Sequence, residues 1–419
     1  MNLNKRNNHY LFLIVLSIIT AFSLIIFSAC NDRPTAVGAS FLNDTISLGI
    51  ANSDSVNLIY AQKNVLYRQP LVNTGAVLIG KTGDSRAVLL LDFIVPDSLG
   101  YIQTSNIISS KLSIQPTRYT FGDSAGTNFL GFNIYKGNKF WTNFATWDSL
   151  FPISYFSPDR FDNSFSLGSW QGKIDLKDTA DQLVMDIDKS IIAEWLKNQT
   201  DTSLIFKNFG IALVPFENST VIRRFVGENN TDDTFRIKIQ VVFNDSLGKT
   251  DTTNLFSARE LSVVSTPNLT QNRLVMQGAV EKDFQLFFDV SMLPPIAGIH
   301  DAELSLTLDT SLCIPGNVPL DSTLYATYYA GDSIVGTPLN SFVASRAPGT
   351  NIFIFPSISS AVSTWCKSPS RKGTLVFSPD GFDKQKFQMS RLVFYGLNEP
   401  DKNKVPKLKI IYSSRPKLK

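Results

Sequence analysis

The chain is poor in the residues that most often carry chemistry. Its 419 residues include two histidines and three cysteines, and only 18% are charged. One histidine, His9, precedes a long apolar run, so a nucleophile–histidine–acid site would have to be built on His300. The cysteines, Cys30, Cys313 and Cys366, make no CxxC and stand in no Cys/His spacing that would ligate a metal. No Asp-x-Asp-x-Asp-Gly loop for calcium is present. The net charge is only +3, and several of the bases crowd the two ends of the chain, which argues against a nucleic-acid partner. Together these deficits predict a protein that is not an enzyme and holds no cofactor. A carboxylate pair of the glycosidase kind stays open, because its members can be far apart in sequence.

What the chain does have is Phe (31) and Tyr (12), with Ser, Thr, Asn and Asp between apolar stretches. Helical periodicity is scarce, so short strands joined by polar turns are expected. The length exceeds what one hydrophobic core normally serves, which predicts two domains.

The stretch Leu11–Cys30, LFLIVLSIITAFSLIIFSAC, is a continuous apolar run behind Lys5 and Arg6. It reads as a secretory leader closing on small residues. Phe27-Ser28-Ala29-Cys30 resembles a bacterial lipobox, which implies that Cys30 carries acyl chains such as palmitate and becomes the mature N-terminus. The membrane is then a partner through that lipid, and the setting is the cell envelope, with the outer membrane favoured. An uncleaved anchor or plain secretion would equally place the rest of the chain outside the cytoplasm.

Taken in order, residues 1–29 are the signal peptide and 30–52 a polar tether. Residues 53–244 form a first module, 245–265 a polar linker and 266–419 a second module. Gly75-Ala-Val-Leu-Ile-Gly80-Lys81-Thr82 satisfies the phosphate-loop pattern GxxxxGK[ST]. Its middle residues are those of a strand, however, and turn residues rather than a helix follow it, so no nucleotide is expected. Ile187, Ile191, Ile192 and Trp195 share one face of a short helix ending near Asn198. Ile358, Ala361, Val362 and Trp365 do the same on a second helix, with Pro356 expected in its first turn.

The modules echo one another. Leu89-Leu-Leu-Asp92-Phe93 returns as Leu286-Phe-Phe-Asp289-Val290, and Lys111-Leu-Ser-Ile114 as Glu303-Leu-Ser-Leu306. Tyr135-Lys-Gly137 matches Tyr329-Ala-Gly331, and Gly210-Ile-Ala-Leu213 matches Gly373-Thr-Leu-Val376. Val226-Gly227 and Ile237-Lys-Ile239 return as Tyr395-Gly396 and Leu408-Lys-Ile410. Such order predicts an all-β fold of two tandem antiparallel β-sandwich (jelly-roll-like) domains, each with one short helix. The opening LLLDF strand, Trp141 to Trp147, the helix through Trp195, the Gly-Ile-Ala-Leu strand and Pro406 to Tyr412 resemble DNRLRE-type modules of secreted bacterial proteins. That resemblance implies a structural or carbohydrate-binding role.

The aromatic-rich insertion Phe140–Trp170 exists in one copy only. Tyr155, Phe156 and Trp170 are its candidates for stacking on sugar rings, whereas Trp141, Trp147, Trp195 and Trp365 suit packing. Asp92 and Asp289 recur, and we read them as turn-capping residues. Asp followed by Ser or Thr recurs at Thr45, Ser98, Ser149, Thr179, Ser246 and Ser333, resembling an O-glycosylation sequon of Bacteroidetes envelope proteins. An oxidising envelope would permit a Cys313–Cys366 disulfide. The expected function is non-catalytic glycan binding at the cell surface. The alternatives are a scaffold that contacts other envelope proteins or, less in keeping with the composition, a secreted hydrolase.

Overall fold

The computed structural model describes residues 46–66, 71–72, 75–100, 102–123, 126–150, 160–174, 181–227, 233–266, 272–280, 282–317, 323–332, 334, 338–378 and 388–414. Residues 1–29, expected to be a signal peptide, and Cys30, Thr45, Tyr155, Phe156, Thr179 and Ser333 lie outside these residues.

In chain order the strands are β1 (Ser47–Asn52), β2 (Ile59–Leu66), β3 (Leu71–Val72), β4 (Ala76–Thr82), β5 (Ser85–Phe93), β6 (Ile107–Ile114), β7 (Pro116–Gly122) and β8 (Phe129–Gly137). Next come β9 (Phe161–Asp162), β10 (Gly168–Lys173), β11 (Leu183–Asp186), β12 (Ile211–Pro215), β13 (Val221–Val226), β14 (Lys238–Asn244) and β15 (Thr250–Ser265). The rest are β16 (Arg273–Gln277), β17 (Lys282–Asp289), β18 (Gly298–Thr307), β19 (Thr323–Ala330), β20 (Asn340–Arg346), β21 (Ile352–Phe355), β22 (Lys372–Ser378), β23 (Arg391–Tyr395) and β24 (Lys407–Ser414). The helices are α1 (Trp147–Leu150), α2 (Lys189–Thr200) and α3 (Ser359–Lys367).

Residues Gly49–Tyr412 form one unit, an all-β fold of two antiparallel sheets, each folded over its own core. Of the described residues beyond it, the Ser47 hydroxyl donates to the Ser414 carbonyl at 3.3 Å. In the first sandwich, β11, β6, β14 and the first half of β15 make one layer, and β10, β8, β12, β5 and the second half of β15 make the other. β15 passes from β14 to β5 at Phe256–Ser257, and its register along β5 shifts between Ser257 and Arg259. In the second sandwich β18 lies between β24 and β21, and β22 between β19 and β17, with β20 bridging β19 to β21.

The apolar runs read according to how many faces are covered. Leu89, Leu91 and Phe93 of β5 point into the first core with Ile114, Ile239 and Trp195. Val88 and Leu90 point the other way and are roofed by Trp141, Leu150 and Phe161 of the insertion. A strand covered on both faces is uninterruptedly apolar, hence LLLDF. Trp365, Phe288 and Ile410 occupy the second core in the same manner.

Four expectations need correction, and the first is the tether expected over 30–52: its last residues, Ser47–Asn52, are β1, a strand paired with β24. Residues 245–265 are no linker: Asp245–Lys249 is a tight turn and Thr250–Ser265 is β15, which belongs to the first sandwich. Residues 53–66 do not belong to the first module, because β2 pairs with β17 of the second. Pro356 precedes α3 rather than sitting in its first turn, since the helix begins at Ser359. The phosphate-loop look-alike is the strand β4, paired with β13 and followed by a turn at Gly83 (φ +53°) into β5.

Candidate functional site

Trp170 is placed by β10, an edge strand paired only with β8 along Gly168–Lys173. Its neighbours alternate between exposed Ser169, Gln171 and Lys173 and the glycines Gly168 and Gly172. The two glycines answer different neighbours. A Cβ on Gly172 would come 3.3 Å from the indole ring, and one on Gly168 would come 2.4 Å from the Asp186 carbonyl of β11. The edge strands of the two layers therefore meet at Gly168 and open on either side of it into a groove of about 580 Å³.

The groove is lined by Ser169, Trp170, Val184, Met185, Asp186 and Asp188 among others. The indole stacks on Phe132 with centroids 5.9 Å apart and planes 27° apart, which leaves part of its surface facing the groove. Val184 is 51% exposed, an apolar neighbour on the opposite wall. Asp186 reaches Lys111 at 3.6 Å, a solvent-facing ion pair of little energetic weight. The Asp188 side chain caps α2 by accepting the Ser190 N–H at 2.8 Å, and the Asp188 amide donates to Leu167. A partly buried aromatic ring that packs on the first core and keeps an edge open, flanked by hydroxyl, carboxylate and ammonium groups, can stack on a sugar ring while hydrogen-bonding its hydroxyls. Sequence reading found Trp170 but missed Asp186 and Asp188; the signal was the Asp-x-Asp capping pattern ahead of the α2 stripe.

A second concavity, about 420 Å³, lies on the outer face of β8 and β12 and includes Asn133, Tyr135, Asn163, Phe216 and Glu217. Asn133 donates to the Tyr135 hydroxyl at 3.0 Å, and Glu217 holds Arg86 at 2.6 Å.

Other candidates separate in space and role. Trp141, Trp195 and Trp365 are buried, and Trp147 packs against the layer holding Trp141. His300 is exposed on β18. Asp92 accepts the Phe93 N–H and holds Arg259 at 2.6 Å, while Asp289 accepts the Ser291 N–H, so both are structural. Cys313 and Cys366 are free thiols, not a disulfide. The Cys313 sulfur accepts the Val393 amide at 3.3 Å, and Cys366 packs from α3 into the second core. Ser98, Ser149 and Ser246 are exposed beside turns or short helices, where Asp245 accepts the Leu247 and Lys249 amides. Among the described residues no group of three His, Cys, Asp or Glu side chains could hold a metal ion.

No family model and no curated protein matches the chain. Among solved structures it is similar to that of the Macrobrachium rosenbergii nodavirus at 8% identity, covering 89% of this chain and 90% of that one, with a TM-score of 0.12. The infectious bursal disease virus VP2 subviral particle gives 12% identity over 88% of this chain and 77% of that one, with a TM-score of 0.11. Likeness at this level carries no argument about fold or function.

Proposed function

We propose that the protein is a lipid-anchored, non-catalytic component of the bacterial cell envelope, held in the outer membrane through Cys30, that binds glycan in the groove between β10 and β11. The observation that carries the binding reading is Trp170. This edge-strand tryptophan packs on the first core through Phe132 yet keeps ring surface in an open groove, with Gly172 cleared beside the ring, which suits it to stack on a ligand. Its flanking polar groups supply the hydrogen bonds that a polyhydroxylated ligand needs. The lipid anchor rests on the leader sequence alone.

The test is calorimetric titration of Cys30→Ser protein, residues 30–419, against a panel of polysaccharides, repeated with Trp170→Ala. Loss of one stacked aromatic is expected to weaken binding about two- to tenfold, since such a contact contributes about 0.5–1.5 kcal/mol. Binding unchanged by the substitution would move the site away from the groove. A second reading, a scaffold for other envelope proteins, is favoured by exposed apolar side chains in the insertion and in the loop after α2, with Phe144 85% and Ile205 88% exposed. Absence of binding to every polysaccharide by folded protein would put that reading first.

A further inference from the structure

The repeat and the sheet topology, taken together, point to an arrangement that neither shows alone. The body of the first copy runs from β4 to β14 and that of the second from β16 to β24. Element by element they build the same sandwich: β8-β12-β5 corresponds to β19-β22-β17, and β11-β6-β14 to β21-β18-β24. Each body also needs a strand that runs first beside its closing strand and then beside its opening strand. In the first sandwich β15 fills this place, pairing with β14 and then β5. In the second the place is filled by β1 and β2, which pair with β24 and β17.

In sequence, however, β1–β2 precedes the first body and β15 precedes the second. The two segments are themselves alike. Asn57-Leu58-Ile59-Tyr60-Ala61-Gln62 matches Asn254-Leu255-Phe256-Ser257-Ala258-Arg259, and each strand carries one register shift along its opening strand. Leu58 is buried in the second core and Leu255 in the first. Ala61 lies opposite Phe287 and Leu261 opposite the equivalent Leu90, so the two strands fill the same place with their sequence match offset by three residues.

We infer that the repeating unit is a leading strand followed by a body, and that the two units have exchanged leading strands within one chain. Each sandwich is completed by its sister's strand. Each exchanged strand is also latched to its host. Arg259 of β15 pairs with Asp92 at 2.6 Å and stacks 4.4 Å over the Trp141 ring. Tyr60 of β2 donates its hydroxyl to Asp332, while Lys372 sits 3.3 Å from that carboxylate and 4.8 Å over the Tyr60 ring. Neither copy is complete in its own sequence, so the interaction surface presented by each body is a strand-wide groove fitted to the other copy's leading segment. This inference stands apart from the glycan reading.

Four double-cysteine variants of the full chain decide the matter. Lys63 lies opposite Gln285, and Val263 opposite Val88, at equivalent places in the two sandwiches. Exchange requires that Lys63→Cys close a disulfide with Gln285→Cys, and Val263→Cys with Val88→Cys, at the mass of a single chain. The crossed pairs, Lys63→Cys with Val88→Cys and Val263→Cys with Gln285→Cys, should stay open. Closure of the crossed pairs instead, or of the first two only between two chains, overturns the inference. Any pair that fails to oxidise is repeated with a short bis-maleimide. Failure of both expected pairs with both reagents, in protein with native circular dichroism, would also refute the exchange.

Discussion

Lys282 is 7% exposed on β17, and burial together with the nearby Arg391 pushes its ammonium down from 10.5 to about 8. Between those two pH values the folded chain has released this proton while the unfolded chain still holds it. Stability from this group therefore rises with pH across the window. Lys282→Met should be more stable relative to wild type at pH 7 than at pH 10, with the difference shrinking by up to about 3 kcal/mol. Denaturant unfolding at the two pH values measures it, and a pH-independent difference would refute the assignment. The shift was invisible in the sequence, where Glu281-Lys282-Asp283 looks like an ordinary polar turn. By contrast Trp195 and Trp365 were legible as core from their helical stripes, because the stripe itself states which way a side chain faces. The cysteines were not, since spacing along the chain does not say that Cys313 belongs beside Val393 and Cys366 on α3.

At the scale of elements, equal sequence marks have unequal causes. The glycine that opens β12 and its counterpart on β22 both recur, and the repeat alone would give them one reason. Gly210 has φ +72°, and a Cβ there would lie 2.0 Å from the Leu91 carbonyl. Gly373 instead passes beneath α3, where a Cβ would come 2.0 Å from the Trp365 ring, whose Nε1 donates to the Tyr329 carbonyl at 2.9 Å. Gly373→Ala must displace a fully buried indole stacked on Phe288. It should cost at least about 2 kcal/mol by denaturant unfolding, the scale of overpacking in a close-packed core. Gly373→Ala combined with Trp365→Leu should recover part of that loss, as the smaller side chain yields the space. A loss of equal size with and without the tryptophan would place the strain elsewhere. β15 shows the opposite failure of legibility. Its first half, Thr250–Asn254, is polar because it pairs only with β14 and leaves a face to solvent, so it reads as linker.

At the scale of the molecule, the two sandwiches share more than a connection. Leu78, Tyr119 and Ile222 of the first pack with Ala279 and Met389 of the second in one buried cluster. Across it the Met389 amide donates to the Tyr119 hydroxyl, and Asn317 exchanges hydrogen bonds with the Thr120 backbone at 2.9 Å in both directions. Burial pushes the Tyr119 phenol up to about 12, as expected of a ring enclosed between two domains. A contact of this kind, added to strands that cross from one copy to the other, makes partial unfolding costly. Opening either sandwich would expose apolar surface on its neighbour as well. Heat or denaturant should therefore unfold the chain in one transition, with the slowest amides of β5 and β17 exchanging at the same free energy. Tyr119→Ala should lower that shared value by about 3–5 kcal/mol, the cost of emptying a large aromatic site, and lower it equally in both strands. If the variant weakened β5 and left β17 untouched, or if calorimetry resolved two steps in the wild type, the sandwiches would be independent units joined only in sequence.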